Sequence, residues 1–265
     1  MGQARLSVII ITKNEALNIE ACLDSLTWAD EIIIVDSGST DQTVELSKKY
    51  TSMITVTPDW PGYGIQKQRA LDQATGDWVL SLDADERVSP ELQKEIQTHL
   101  QSSDKIAYKI PFISFYCGKK IRFGDWGKES HIRLFRRSKS HFSSTTIHED
   151  LVFTPKLQAH EIGTFKSPVY HYSYPEISTV LKKLNDYSTL GALKKFQQNR
   201  RATIGTAIMR SLWCFLRGYI FRLGFLDGRE GFMLAVSNAE GTYYRYLKLI
   251  YLNLNQKTPL NFHDS

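Results

Sequence analysis

Apolar residues in the first hundred positions follow two rhythms. LSVIIIT (6–12), EIIIVDS (31–37) and DWVLSL (77–82) are short, largely β-branched or bulky runs bounded by polar residues, the pattern of strands buried on both faces. Between them, EALNIEACLDSL places Leu17, Ile19, Leu23 and Leu26 at helical spacing. DQTVELSKKY and QKQRALDQATG predict further helices, the second stopped by Gly76, and SMITVTP predicts a short strand. Strands alternating with helices predict an α/β fold, Rossmann-like, with a mostly parallel sheet whose ligands gather at the carboxyl ends of its strands. Polar residues cluster at those ends: Thr12, Asn14 and Glu15, then Asp36 and Ser37, then Asp83 and Asp85.

The last third has a different pattern. TAIMRSLWCFLRGYIFRLGF (206–225) is apolar and aromatic over one broad helical arc, with Arg210 and Arg217 on the other side, and FMLAVSNAEGTYYRYLKLIYL follows as a second amphipathic stretch. Arginine interrupts every run that could span a bilayer. A basic, aromatic helix of this kind predicts a region lying on an anionic membrane surface. Packing onto the α/β core, or onto a second subunit in a homo-oligomer, is the alternative.

Charge sharpens this division. The chain of 265 residues has a net charge of +5, yet residues 1–100 hold 8 Lys/Arg against 16 Asp/Glu, whereas residues 180–265 hold 13 against 5. The basic excess lies beside hydrophobic helices and accompanies no groove-reading motif, so nucleic acid is not an expected partner. Cys22, Cys117 and Cys214 lie far apart without a C-x-x-C pair, which argues against a disulfide framework or a zinc site and suits a reducing compartment. MGQARLSVIII has too short an apolar run to span and no small-residue cleavage site, and Leu6 stands where a myristoylation signal has Ser or Thr. The expected location is cytoplasmic, peripheral on the inner face of the cytoplasmic membrane.

The chemistry centres on LSLDADERV (80–88). Carboxylates spaced D-x-D at a strand end can offer oxygens to Mg²⁺ or Mn²⁺, which bridges diphosphate oxygens and stabilises a leaving phosphate. The plainer reading makes Asp83 and Asp85 a solvated turn, with Glu86 and Ser89-Pro90 as capping residues of the next helix. The chain contains neither a G-x-x-x-x-G-K-[ST] phosphate loop nor G-x-G-x-x-G after its first strand, and has TKNEALNI there instead.

Taken in order, SVIIITKNEALNIEACLDSL, IIIVDSGSTDQT and QKQRALDQATGDWVLSLDADERV resemble glycosyltransferase family 2, the inverting nucleotide-sugar transferases of GT-A fold. RLFRRSKSHF, IHEDLVF, YHYSYPEI and GFLDGREGF further resemble landmarks of bacterial lipopolysaccharide core β-1,4-glucosyltransferases. The resemblance implies a GT-A domain over residues 1–175, with a nucleotide-sugar half (1–100) and an acceptor half (101–175), followed by a helical region over 176–265. It implies transfer of a sugar, with glucose from UDP-glucose the expected donor, to a lipid-linked acceptor such as the lipopolysaccharide inner core. A polyprenyl phosphate or capsule precursor is an alternative acceptor, and a catalytically silent nucleotide-binding scaffold an alternative of another class.

Carried onto this sequence, the resemblance assigns Thr12, Asn14 and Glu15 to base and ribose recognition and Asp36 to the uracil imide. From the residues alone, Asn14 could equally cap a helix and Asp36-Ser37-Gly38 form a turn. Lys67 stands where the family often has Arg, with Arg69 as its competitor for a phosphate or uracil contact; Asp83 and Asp85 anchor the metal and diphosphate. Glu149 is the expected base, with Asp150 as alternative and His148 as an acceptor or diphosphate contact. Trp126 could stack on a sugar, Arg133 and Arg136 could bind acceptor phosphate or merely alternate along a strand, and His171 resembles a position near the metal or diphosphate.

Overall fold

The computed structural model describes residues 4–101, 103–127, 129–143 and 151–255. Its β-branched runs form the centre of a sheet: β1 (Leu6–Thr12) pairs in parallel with β2 (Glu31–Asp36), and β3 (Ile54–Val56) lies outside β2. On the other side of β1 runs β4 (Trp78–Asp83), also parallel. The later strands are β5 (Glu86–Val88), β6 (Ala107–Tyr116), β7 (Lys119–Lys120), β8 (Ser130–Arg136), β9 (Ser140–Phe142), β10 (Leu151–Phe153), β11 (Ile162–Thr164) and β12 (Val169–Tyr174). The main order is β3-β2-β1-β4-β8-β6-β12-β5, with β7 and β11 also on β6, while β9 and β10 form a separate pair. β8 is antiparallel to both β4 and β6, so the sheet changes from parallel to mixed at β4.

The helices are α1 (Ile19–Asp24), α2 (Thr43–Ser47), α3 (Tyr63–Gln73), α4 (Pro90–Leu100), α5 (Ile177–Gln197), α6 (Ile204–Leu216) and α7 (Gly228–Asn255). Alternation along each parallel strand divides the core between two faces. Leu6, Val8 and Ile10 pack with Ile19 and Leu23 of α1 and with Leu92 and Ile96 of α4. Ile9 and Ile11 pack on the opposite side with Ala70 and Leu71 of α3.

The chain divides into two compact units, Met1–Ile113 with Glu129–His171, and Ser114–Lys128 with Tyr172–Ser265. The second unit therefore takes the segment 114–128 out of the stretch expected to form an acceptor half. Its small core joins Tyr116 and Ile121 to Val180 and Leu234, with Trp126 and Tyr174 against them.

Three local features differ from the sequence reading. α1 begins at Ile19, and Leu17 is left 93% exposed because residues 14–16 are drawn into hydrogen bonds with residues 39–43. α5 falls within the region 176–265 expected to be helical, with bounds that no periodic run in the sequence marked. The 206–225 stretch is not one helix: α6 ends at Leu216, Arg217–Phe221 widens into a π-turn, and Leu223 adopts a left-handed conformation before the 3₁₀ turn Gly224–Asp227. Close backbone approach explains the glycines of this corner, since a Cβ at Gly231 would lie 2.0 Å from the Gly224 carbonyl oxygen.

Candidate active site

The first strand-end cluster is a folded network of loops. Asp36, fully buried at the end of β2, accepts from Thr12 Oγ1 at 2.8 Å, from the Ser39 backbone N–H at 2.7 Å and from Ser39 Oγ at 2.5 Å. Asn14 is left-handed (φ 56°), so it is no helix cap; its N–H donates to Ser39 Oγ and its Oδ1 accepts from the Thr40 N–H, each at 2.8 Å. The Glu15 N–H donates to Thr43 Oγ1. The loops after β1 and β2 thus hold each other, and Thr12, Asn14, Glu15 and Asp36 share one edge of the sheet.

α3 separates the two cations that sequence left as competitors. Lys67, 2% exposed, turns inward to pair with Asp83 Oδ1 at 2.9 Å. Arg69 turns outward to grip the Asp59 carboxylate with both of its terminal nitrogens, at 2.8 and 2.9 Å. Beside them, buried Gln66 donates to Ser37 Oγ and Thr57 Oγ1, a joining role that nothing in its spacing announced.

The second cluster is built around LSLDADERV. Arg133, on β8, donates from Nη2 to Asp83 Oδ2 at 2.9 Å and to Glu86 Oε1 at 2.6 Å, and Glu86 Oε2 accepts the Asp83 N–H. Glu86 is completely buried on β5 and caps nothing; Ser89 is the cap of α4, accepting from the Leu92 N–H, with Pro90 in the first turn. Pairing of β5 with β12 sets His171 opposite Glu86, and His171 Nε2 lies 3.4 Å from Asp85 Oδ1. Phe112 presents its ring edge-on to both His171 and His131, while His131 pairs with Glu129 at 2.8 Å.

Charge balance dominates this cluster, with three carboxylates meeting a lysine, an arginine and an imidazole. Burial opposes ionisation of Asp83, but Lys67 and Arg133 outweigh it and hold the carboxyl well below its ordinary range. Burial pushes Glu86 up to about 7 against the pull of Arg133. Burial also opposes the imidazolium of His171, yet Asp85, Glu86 and Asp83 together raise its pKa above the ordinary value.

The remaining candidates are spread more widely. Arg136 lies opposite Trp78, at the far end of β4 from Asp83, with its guanidinium 4.2 Å from the indole centroid and a hydrogen bond to the Ser103 carbonyl. Trp126 belongs to the second unit, where Tyr174 stacks on it at 5.2 Å. His148, Glu149 and Asp150 lie outside the described residues.

Among the described residues, no group of three or more His, Cys, Asp or Glu is arranged to hold a metal ion alone. Asp85 and His171 nevertheless offer a carboxylate and an imidazole side by side, whereas the Asp83 oxygens face Lys67 and Arg133. That donor set fits a cation of the Mg²⁺ or Mn²⁺ type, which keeps waters and takes further oxygens from a bound diphosphate.

The model of the family described as glycosyl transferase family 2 matches residues 7–155. The chain belongs to glycosyltransferase family 2. An uncharacterized glycosyltransferase of Rickettsia prowazekii is 33% identical over 97% of this chain and 90% of its own length. The lipopolysaccharide core biosynthesis glycosyltransferase LpsC of Rhizobium meliloti is 31% identical over 88% and 87%. Glucosyl-3-phosphoglycerate synthase from Mycobacterium tuberculosis, solved with Mn²⁺ and UDP-glucose, is 28% identical over 43% of this chain and 44% of its own, with a TM-score of 0.35, too partial a likeness to carry an argument. This family 2 glycosyltransferase has the α/β GT-A fold, with helices following it in the chain.

Proposed function

We propose that the protein transfers a sugar, with inversion, from a UDP-sugar such as UDP-glucose to a lipid-linked acceptor, the lipopolysaccharide inner core, at the cytoplasmic face of a membrane to which its C-terminal helices attach. The observation that carries the reading is the cluster of Asp83, Asp85 and Glu86 with Lys67, Arg133 and His171 at the carboxyl end of β4, in a chain of this family. The likeness to LpsC over most of both chains favours a core oligosaccharide as acceptor.

Each residue then has a task. Asp36, oriented by Thr12 and Ser39, accepts the imide N–H of uracil, and the Asn14–Glu15 loop borders the base and ribose. Lys67 and Arg133 fix the rotamer of Asp83 and set positive charge beside the diphosphate. Asp85 and His171 hold the divalent cation that accompanies the donor. When bound, that cation neutralises charge on the departing diphosphate. Glu149, with Asp150 as the alternative, takes the proton from the acceptor hydroxyl as its oxygen forms the new bond to the anomeric carbon and the bond to the diphosphate oxygen breaks.

Calorimetric titration with UDP, GDP and UDP-glucose, with and without Mn²⁺, tests the donor half of this reading. UDP-selective binding that needs the metal and is weakened in Asp85→Ala and His171→Ala supports it; equal affinity for GDP, or unchanged affinity in both variants, sinks it. Transfer of labelled glucose to truncated lipopolysaccharide tests the acceptor half. Glu149→Gln should lose transfer about a hundredfold or more while keeping UDP binding.

A further inference from the structure

The packed and exposed sides of α6 are reversed in size. Ala207, Cys214 and Gly218 are buried, and Ser211 between them donates its hydroxyl to the Ala239 carbonyl of α7 at 2.8 Å. Helical spacing gathers these four residues on one stripe. Small residues meet them from α7, where Ala235 and Ala239 are buried and Gly231 leaves room for the corner. The bulky residues of the same segment face outward: Ile204, Ile208, Met209, Leu212, Trp213 and Phe221 are each 50–66% exposed.

Water alone does not favour this arrangement. Burying one large aliphatic or aromatic side chain stabilises a fold by about 1.5–3 kcal/mol, so a helix solvated on its outer face normally turns its large residues inward. Small residues between helices and large ones outside are the arrangement that suits surroundings already apolar. Among the described residues, no helix is long and apolar enough to cross a membrane. An apolar medium reached without crossing is the surface layer of a bilayer.

Charge identifies that surface. From Arg200 to Arg229 every basic residue is arginine, six in all, and the sole acid is Asp227. Asp227 is buried, accepting from the backbone N–H groups of Arg122 and Phe123, so it does not offset the positive face. Arg217 and Arg222 pair with Asp125, and Arg229 with Glu230; the positive face is carried by Arg200, Arg201 and Arg210, all exposed. Guanidinium groups match phosphate oxygens two at a time. A second copy docked by the same face would bring these arginines together.

We propose that α6 and its π-turn lie in the plane of an anionic phospholipid surface, with Ile208, Met209, Leu212, Trp213 and Phe221 among the acyl chains and Arg200, Arg201 and Arg210 at the phosphates. This deepens the lipid-acceptor reading and rests on it for its purpose, but binding itself requires no turnover.

The test is flotation of the full-length chain with phosphatidylcholine vesicles, with and without roughly one-third phosphatidylglycerol. The parent protein should float with the anionic vesicles and far less with neutral ones. The triple variant Ile208→Ser, Met209→Ser, Leu212→Ser and the double variant Arg201→Glu, Arg210→Glu should each reduce binding about tenfold or more, with circular dichroism, melting and UDP binding unchanged. A parent that stays with neither vesicle, or a triple variant that floats as well as the parent, overturns the inference. So does a dimer in light scattering that the triple variant converts to monomer without any vesicle binding, since a second copy would then occupy the face. Parallel UDP titration separates the two claims: flotation without UDP binding fails the nucleotide reading alone, and UDP binding without flotation fails this one.

Discussion

The sheet unit and the helical unit solve burial in opposite ways. In the first, bulky Leu, Ile and Trp side chains of β1, β2 and β4 are sealed between helices, and the carboxylates of Asp83 and Glu86 meet a cation supplied from β8. In the second, α6 meets α7 through Ala, Ser, Cys and Gly and leaves its large apolar residues outside. The difference teaches that hydrophobic content alone does not say which way a helix faces. A parallel strand has two buried faces and no choice to make, whereas an amphipathic helix can direct its apolar arc to the core or to an apolar medium outside it.

The largest effect expected from breaking this comparison comes from the one cation that serves two interior carboxylates. Arg133→Ala leaves Glu86 fully buried without its 2.6 Å partner and deprives Asp83 of one of two cations. Removing one member of a buried pair costs about 3–5 kcal/mol. Chemical denaturation at pH 8 should register a loss of that size, and a loss below about 1 kcal/mol would mean that Glu86 is satisfied by other means.

A matched pair of truncations measures the reversal directly. Leu80 in β4 is completely buried, and Leu80→Ala should cost about 2–5 kcal/mol through lost burial and the cavity left behind. Leu212 in α6 is half exposed, and Leu212→Ala should change stability in water by no more than about 0.5 kcal/mol. Equal losses in urea unfolding would show that Leu212 is covered in solution and that the two regions do not differ.

Much of this contrast was legible in the sequence, and some was not. Runs such as LSVIIIT and EIIIVDS mark strands because β-branched side chains crowd a helix and suit a pleated surface, and the polar residues at their ends hydrogen-bond to one another. Glu86 was not legible as an interior residue: its burial depends on Arg133, 47 positions later, and on pairing of β5 with β12. Lys67 and Arg69 are two positions apart on one helix, so their spacing sends them in different directions without saying which one reaches Asp83. Periodicity drew the apolar arc of α6 but could not orient it; the small residues at 207, 211, 214 and 218 were the available signal. Leu17 illustrates the converse error, an apolar residue in helical register displaced when the Asn14 loop binds residues 39–43.

Overpacking tests the small-residue seam from the other side. A Cβ on Gly231 would meet the Gly224 carbonyl oxygen at 2.0 Å and the Asp227 Cβ at 2.9 Å, so backbone must move. Gly231→Ala should cost about 1–3 kcal/mol, read as an earlier melting transition, and should disturb the Asp227 hydrogen bonds to Arg122 and Phe123. An unchanged melting curve would mean that the corner yields freely and that its packing is not specific.

The smallest expected effect is a pH-dependent one at the amino end of the sheet. Glu31 accepts from Ser7 Oγ, from the Thr75 N–H and Oγ1 and from the Gly76 N–H. Burial acts to raise its pKa, but these hydrogen bonds outweigh it and the net shift is below the ordinary value of 4.5. A carboxyl whose folded-state pKa is depressed stabilises the fold above its unfolded pKa, and that contribution is lost as pH falls through the folded value. Glu31→Gln should therefore cost about 1 kcal/mol near pH 7, discounted for partial solvent exposure, and the gap between variant and parent should close below about pH 4. Denaturant midpoints measured from pH 7 down to pH 3 check the sign. A gap that widens on acidification would mean that the neutral carboxyl, rather than the carboxylate, is the form held by Ser7 and Thr75.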